Sequence, residues 1–270
     1  MTLFQQSMLA IVQAVLEWLP VSSEGFLVII GENVFGISAL EAFRIAIYFH
    51  LGTAVAVLIK FRKTYWDAIF RDRTLLRLLV ISAAGTAVIG IPLYLLLSEG
   101  FAMLTGMMVT LFVGIALLIT ATMLRYGRLR GKDVTHMEDR DIKDEFGLGL
   151  AQGFAILPGI SRSGLTITYL VLRGFARQDA FKLSFIISLP AVAGAILFDI
   201  IYKVAIKSEQ SLAFSYEYLI AMAIVVVLGY LMMNLLLKLA DRLSFDKICY
   251  VLGGVTIALV VTYLAIRSAG

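Results

Sequence analysis

Six stretches of the chain, at 42–61, 77–97, 104–125, 180–202, 217–238 and 248–266, are almost wholly apolar. Each is close to the ~20 residues that an α-helix needs to cross the hydrocarbon core of a bilayer. Lipid offers no partner to a backbone N–H or C=O, so runs of this length must bond internally, as helices. The mean hydropathy of +0.93, with 60% hydrophobic residues over 270 positions, lies far outside what a water-soluble domain carries. The expected architecture is an all-α integral membrane protein. The opening residues Met1 to Ser7 contain no Lys or Arg and no small-residue cleavage site follows, so the first apolar segment is expected to stay.

A net charge of +4 and a pI near 9.1 could point to nucleic acid, but in such a chain the distribution of the charges matters more than their sum. Lys and Arg crowd the stretches 60–77, 125–143, 173–182 and 238–247. If the spans alternate in direction, all of these fall on one side, and only Arg44, Lys203, Lys207 and Arg267 fall on the other. The rich side is read as cytoplasmic, and no nucleic-acid partner is expected. The single Cys249 excludes an intrachain disulfide. Two histidines, His50 and His136, argue against a zinc site built on imidazoles.

Two further apolar segments, 8–31 and 148–172, are interrupted, the first by Pro20 and Ser22-Ser23-Glu24-Gly25, the second by Pro158 through Gly164. Each arm is too short to span, so both are predicted to be helix hairpins that enter the membrane and return. Leu19-Pro20 and Leu157-Pro158 stand 138 positions apart, as do Ala42-Phe43-Arg44 and Ala180-Phe181-Lys182, and Leu51 and Leu189. A shared offset indicates an internal duplication. The halves are 1–127 and 146–270, joined by a charged cytoplasmic loop at 128–145. One hairpin and three spans per half is an odd number of crossings, so the second half is expected to be inverted, with the two hairpins meeting near the midplane.

An arginine at membrane depth needs an anion, and Arg162 sits among the glycines and hydroxyls of Pro158-Gly159-Ile160-Ser161-Arg162-Ser163-Gly164-Leu165-Thr166. Gly159, Ser161, Ser163 and Thr166 are expected to add donors for the oxygens of a phosphate. In the first hairpin, Gln13 and Glu17 are four apart and share a helix face. Glu17 could act as a general base, hold a divalent cation, pair with Arg162, or be an interfacial carboxylate beside an anchoring Trp18. Ser22 and Ser23 are either helix caps or, beside a carboxylate and an anion pocket, a nucleophile and its neighbour. His50, well inside its span, is either bonded to a neighbouring helix or a proton shuttle. His136 is read as a loop residue, and Glu24, Glu32, Glu41 and Asp199 as surface groups. Met103, Met107, Met108 and Met123 are read as lipid-facing or packing residues.

Gln13-Ala14-Val15-Leu16-Glu17-Trp18-Leu19-Pro20-Val21-Ser22-Ser23-Glu24-Gly25 and Pro158-Gly159-Ile160-Ser161-Arg162-Ser163-Gly164-Leu165-Thr166 together resemble the two signatures of the undecaprenyl-diphosphate phosphatase family of the bacitracin-resistance type. The resemblance spans the chain. It implies a phosphatase of the plasma membrane that removes the terminal phosphate of a polyprenyl diphosphate, with its site open to the outer face. It implies Ser23 as nucleophile, Glu17 as the second acid of the first signature with Gln13 in place of the first, and Arg162 as the residue that grips phosphate. It also implies a divalent cation, Mg²⁺ or Ca²⁺, with Glu17 as a ligand. The partners considered are the lipid, the membrane and a second copy of the chain. Where the family pattern continues Ser-Ser-x-Gly-His, this chain has Phe26, so His50 or Glu24 is expected to supply the missing proton transfer. The same pocket could also serve a lipid transporter, because inverted repeats with broken helices support alternating access.

Overall fold

The computed structural model describes residues 1–100, 106–130, 140–157, 159–202, 216–239 and 244–269. Met103, Lys132, His136, Pro158, Lys203, Lys207 and Arg242 lie outside the described residues, as does the middle of the 128–145 loop. Every regular element among the described residues is helical: α1 (Leu3–Leu16), α2 (Ser23–Asn33), α3 (Ala39–Lys60), α4 (Arg62–Phe70), α5 (Arg73–Gly100), α6 (Gly106–Arg130), α7 (Ile142–Gly153), α8 (Arg162–Leu172), α9 (Arg177–Ile201), α10 (Tyr216–Leu239) and α11 (Phe245–Ala269). A single 3₁₀ turn, Phe154–Ile156, follows α7.

Among the described residues, six helices, α3, α5, α6, α9, α10 and α11, are long and apolar enough to cross a membrane. They fall within a few residues of the six expected runs. Their outward faces carry large apolar side chains such as Val80, Leu96, Ile115, Leu219 and Leu259, all exposed, and this is a surface made for lipid. Met108 and Met123 are on that surface, as expected.

The two interrupted segments form helix–break–helix units, α1 with α2 and α7 with α8. Both begin earlier than the apolar pattern suggested, because side-chain caps start them in polar sequence. Thr2 and Gln5 form a capping box at α1, and Asp141 and Asp144 form one at α7. The Asp144 N–H held by Asp141 keeps the Asp141 carboxyl below the usual carboxylate range.

One helix was not foreseen. The stretch after α3 reads as a charged loop, yet Arg62–Phe70 is helical, with Tyr65 and Ala68 buried and Trp66, Ile69 and Phe70 exposed. An apolar face flanked by Arg62, Lys63, Arg71 and Arg73 is the composition of a helix lying at a membrane surface.

The packing is reciprocal. Helix α1 lies against α10 and α7 against α5, while α3 also packs on α10 and α9 on α5. The α5/α7 contact is close because glycine lines it: a Cβ on Gly149 would sit 2.2 Å from the Ser82 carbonyl oxygen. Ion pairs fasten the charged end of this unit. Glu145, fully buried, accepts from Arg77 at 3.0 and 3.1 Å and lies 3.4 Å from Arg140, and Arg173 bonds Asp144. These basic residues therefore do more than orient the chain.

Candidate active site

The first hairpin breaks because Pro20 has no N–H to continue a helix. Helix α1 ends at Leu16, but Glu17 keeps helical dihedrals and its N–H still reaches the Gln13 carbonyl at 3.0 Å. The Glu17 carboxylate therefore stacks one turn above Gln13, whose Nε2 donates to Oε2 at 3.0 Å. Ser22 opens α2 as its N-cap, accepting the Gly25 N–H at 3.1 Å. Ser23 is thus the first helical residue, and its hydroxyl donates to the same Glu17 Oε2 at 2.7 Å.

The second hairpin repeats the device. Ser161 caps α8 by accepting the Gly164 N–H at 3.1 Å, which makes Arg162 its first helical residue. The guanidinium donates to Glu17 Oε1 and, at 3.4 Å, to the Ser184 carbonyl of α9. A second bond joins the hairpins, from the Gly159 N–H to Ser22 Oγ at 2.9 Å. Gly159 has φ +95°, and a Cβ there would lie 2.7 Å from that of Ala116, so both backbone and space demand glycine. Two helix N-termini, each with a positive dipole end, converge on one buried carboxylate.

His50 completes the cluster from α3. Its Nδ1 donates to the Ala46 carbonyl at 2.7 Å, and its Nε2 lies 3.2 Å from Glu17 Oε2 and 3.6 Å from Glu24 Oε1. Since Nδ1 supplies the proton to the carbonyl, Nε2 meets two carboxylates favourably only when it also carries one. His50 thus bonds a carbonyl of its own helix, where a neighbouring helix was expected, and its Nε2 faces the two carboxylates.

Several expectations are corrected. Trp18 is no interfacial anchor but is fully buried, edge-on to Phe185 at 5.2 Å. Glu24 is not a surface group: it lines a cavity of about 220 Å³ together with His50 and Arg162. Asp199 is buried and accepts from the Tyr48 hydroxyl at 3.0 Å and from Tyr94. Glu41 is exposed, as expected, whereas Glu32 is half-buried. The hydroxyls expected to serve phosphate have other partners: Ser163 donates to the Leu19 carbonyl at 2.7 Å, and Thr166 bonds the Arg162 carbonyl and Ser184. Ser161 lies 3.2 Å from Ser163. These groups, with Gly159, shape the helix end that presents Arg162.

A sequence profile described as "Bacitracin resistance protein BacA" matches residues 6–260. The chain belongs to the BacA family. Its relatives include proteins named undecaprenyl-diphosphatase from Methanothrix thermoacetophila, 38% identical and covering 96% of this chain and 97% of the relative, and from Methanopyrus kandleri, 34% identical over 92% of each. A third, of the same name, from Haloarcula marismortui, is 34% identical over 92% of this chain and 93% of its own length.

The resemblance in the sequence implied a divalent cation on Glu17. The residues do not fit it. Glu17 Oε1 is taken by Arg162, and Oε2 by Ser23, Gln13 and His50, so a cation there would replace these donors and sit against a guanidinium. Among the described residues, no group of three or more His, Cys, Asp or Glu side chains is placed to hold a metal ion.

Sequence reasoning overlooked Gln152 and Thr86, which also line the cavity. A signal was there in this BacA-family chain. Gln13 and Gln152, Ser22 and Ser161, and Gly25 and Gly164 each stand 139 positions apart, one more than the offset of the Leu-Pro pairs.

Proposed function

We propose that the chain hydrolyses a polyprenyl diphosphate of the undecaprenyl type to the monophosphate and phosphate, regenerating a lipid carrier for cell-envelope glycans. The observation that carries this reading is the meeting of Ser23 and Arg162 on the two oxygens of Glu17. A nucleophile, a proton acceptor and a phosphate-binding cation are what phosphoryl transfer requires. The names of the relatives support the same chemistry and lend nothing to transport.

In this mechanism the terminal phosphate competes with Glu17 for Arg162. Once the guanidinium turns to phosphate, Glu17 is free to take the Ser23 proton across their 2.7 Å bond. Ser23 Oγ attacks the terminal phosphorus, and the bridging P–O bond breaks with its electrons leaving on the polyprenyl monophosphate. Arg162 and the N-termini of α2 and α8 stabilise the charge on the equatorial oxygens. His50, bonded to Glu17 and close to Glu24, passes the proton between the two carboxylates in place of the family histidine at Phe26.

The reading includes re-entrant hairpins in an inverted repeat, with the halves divided at the 128–145 loop. The reciprocal packing of α1 on α10 and α7 on α5 supports it. The charge asymmetry supports a site reached from the outer face of the plasma membrane. The test is phosphate release from a C55 polyprenyl diphosphate by purified protein in detergent, beside Ser23→Ala and Arg162→Ala. Release by the parent that both variants lose is expected. Binding through Arg162 without release from any chain length would leave a lipid carrier as the better account.

A further inference from the structure

We propose that Gln152 positions the water that hydrolyses the phosphoserine formed on Ser23. The proposal rests on the phosphatase reading above.

Gln152 is the next-to-last residue of α7 and is 3% exposed. Its Nε2 donates to Thr86 Oγ1 at 2.9 Å. Thr86 directs its own hydrogen to the Ser82 carbonyl at 2.8 Å or the Gly149 carbonyl at 3.2 Å, so it can only accept from Gln152. The amide is thereby fixed: turning it over would set Oε1 against a hydroxyl whose hydrogen is already committed. The Oε1 that results has no partner among the described residues. Glu24 Oε2 is in the same state, while Glu24 Oε1 faces His50. Gln152, Glu24, His50 and Arg162 all line the one 220 Å³ cavity, whose other walls are mostly apolar.

A buried acceptor without a donor costs about 1–3 kcal/mol. Two in one cavity beside a catalytic cluster call for an occupant that brings hydrogens. The ionised diphosphate presents acceptors only, and an isoprenoid chain presents neither kind. Water is the one reactant with hydrogens to give, and it has two. One fits the Glu24 carboxylate and the other the Gln152 carbonyl, which leaves the oxygen lone pair for phosphorus.

The step balances as follows. The water oxygen bonds the phosphorus of phosphoserine while its proton passes to Glu24. The P–Oγ bond breaks, and its electron pair goes to Ser23 Oγ, which is reprotonated from Glu24 by way of His50 and Glu17, the proton of the first half having left on the polyprenyl monophosphate. Phosphate leaves as HPO₄²⁻, with three of its own oxygens and the oxygen and second hydrogen of the water, and both carboxylates end the cycle unprotonated. Gln152 neither gains nor loses a proton. It aims the water.

The experiment is a rapid quench with polyprenyl diphosphate labelled with ³²P in the terminal phosphate, run on the parent, Gln152→Met, Gln152→Glu and Thr86→Val. Methionine keeps the length and removes the acceptor, glutamate keeps an acceptor oxygen, and Thr86→Val releases the amide. With Gln152→Met, one equivalent of polyprenyl monophosphate is expected in a burst, followed by phosphate release slowed about 100-fold, the scale of a misplaced reactant. The label should stay on Ser23 in the denatured protein. Gln152→Glu should recover part of the rate, and Thr86→Val should show a milder form of the same accumulation.

Phosphate release at the parental rate by Gln152→Met overturns the proposal. So does a loss that reduces burst and steady state alike without labelled protein, since that is what a merely structural role would give. If Gln152→Met does not fold, Thr86→Val and Gln152→Glu decide by the same readout. A parent that neither releases phosphate nor takes up label fails at the phosphatase reading itself, whereas an active parent with an equally active Gln152→Met fails only at the water.

Discussion

Glu17 grips the guanidinium of Arg162 across 145 residues of sequence, with one oxygen for the arginine and the other for Ser23. A buried charge pair of this kind is costly to desolvate and is weak as a stabilising device. Its worth here is positional. In the proposed reaction the carboxylate holds Arg162 where phosphate would bind and yields when it arrives.

Arg162→Lys keeps the charge but loses the fork that serves Glu17 and the Ser184 carbonyl together. A fall in kcat/KM of about 100-fold is expected, the scale of losing one charge-stabilising donor. Steady-state phosphate release measures it, and parental kinetics would remove Arg162 from the charge-stabilising role.

Ser22→Ala separates the two serines. It removes the acceptor shared by the Gly25 and Gly159 N–H groups, a loss of about 1–3 kcal/mol for buried donors left unpaired. The unfolding temperature in detergent should fall while measurable turnover remains. Ser23→Ala should do the reverse, retaining the fold and losing turnover.

His50→Gln tests the relay between Glu17 and Glu24. The substitution keeps a polar side chain but cannot shuttle a proton, so kcat should fall about 100-fold, within the usual range for general acid–base groups. The pH–rate profile should also lose the limb that His50 controls. An unchanged profile with full activity would return the proton transfer to Glu24 alone.

Gly159→Ala places a Cβ 2.7 Å from that of Ala116 at a backbone angle that L residues rarely adopt. The left-handed geometry alone costs about 1–3 kcal/mol, and the contact adds to it. Because the Gly159 N–H ties the second hairpin to Ser22, lower thermal stability and lower activity are expected to appear together.

Asp199→Ala leaves the Tyr48 and Tyr94 hydroxyls without their acceptor in a buried setting. A destabilisation of about 1–3 kcal/mol for a buried group left unpaired is expected. It would be read as a lower unfolding temperature, with the Ser23 chemistry retained.

Much of this architecture is written locally. The six spans follow from run length, and the breaks at Pro20 and around Gly159 follow from residues that cannot continue a helix. The serine caps follow from Ser-x-x-Gly in both hairpins. Helix α4 was not legible in the same way, since its short apolar face is obscured by the arginines and lysines around it. Glu24 and Asp199 were misread because a carboxylate looks alike in sequence whether its partner is water or a tyrosine on another helix.

The sequence by itself determined the all-helical membrane fold and the two helix–break–helix units. These depend on hydropathy, proline, glycine and capping, all of which act within a few residues. The tertiary structure alone decided which donors remain for a ligand. Ser163, Thr166 and the Gly159 N–H, all candidates for phosphate, are bonded to the protein, while Arg162 meets Glu17 and Gln152 keeps an unpartnered oxygen. A hydrogen-bonding group has few bonds to give, and only the packing of distant helices settles where they go.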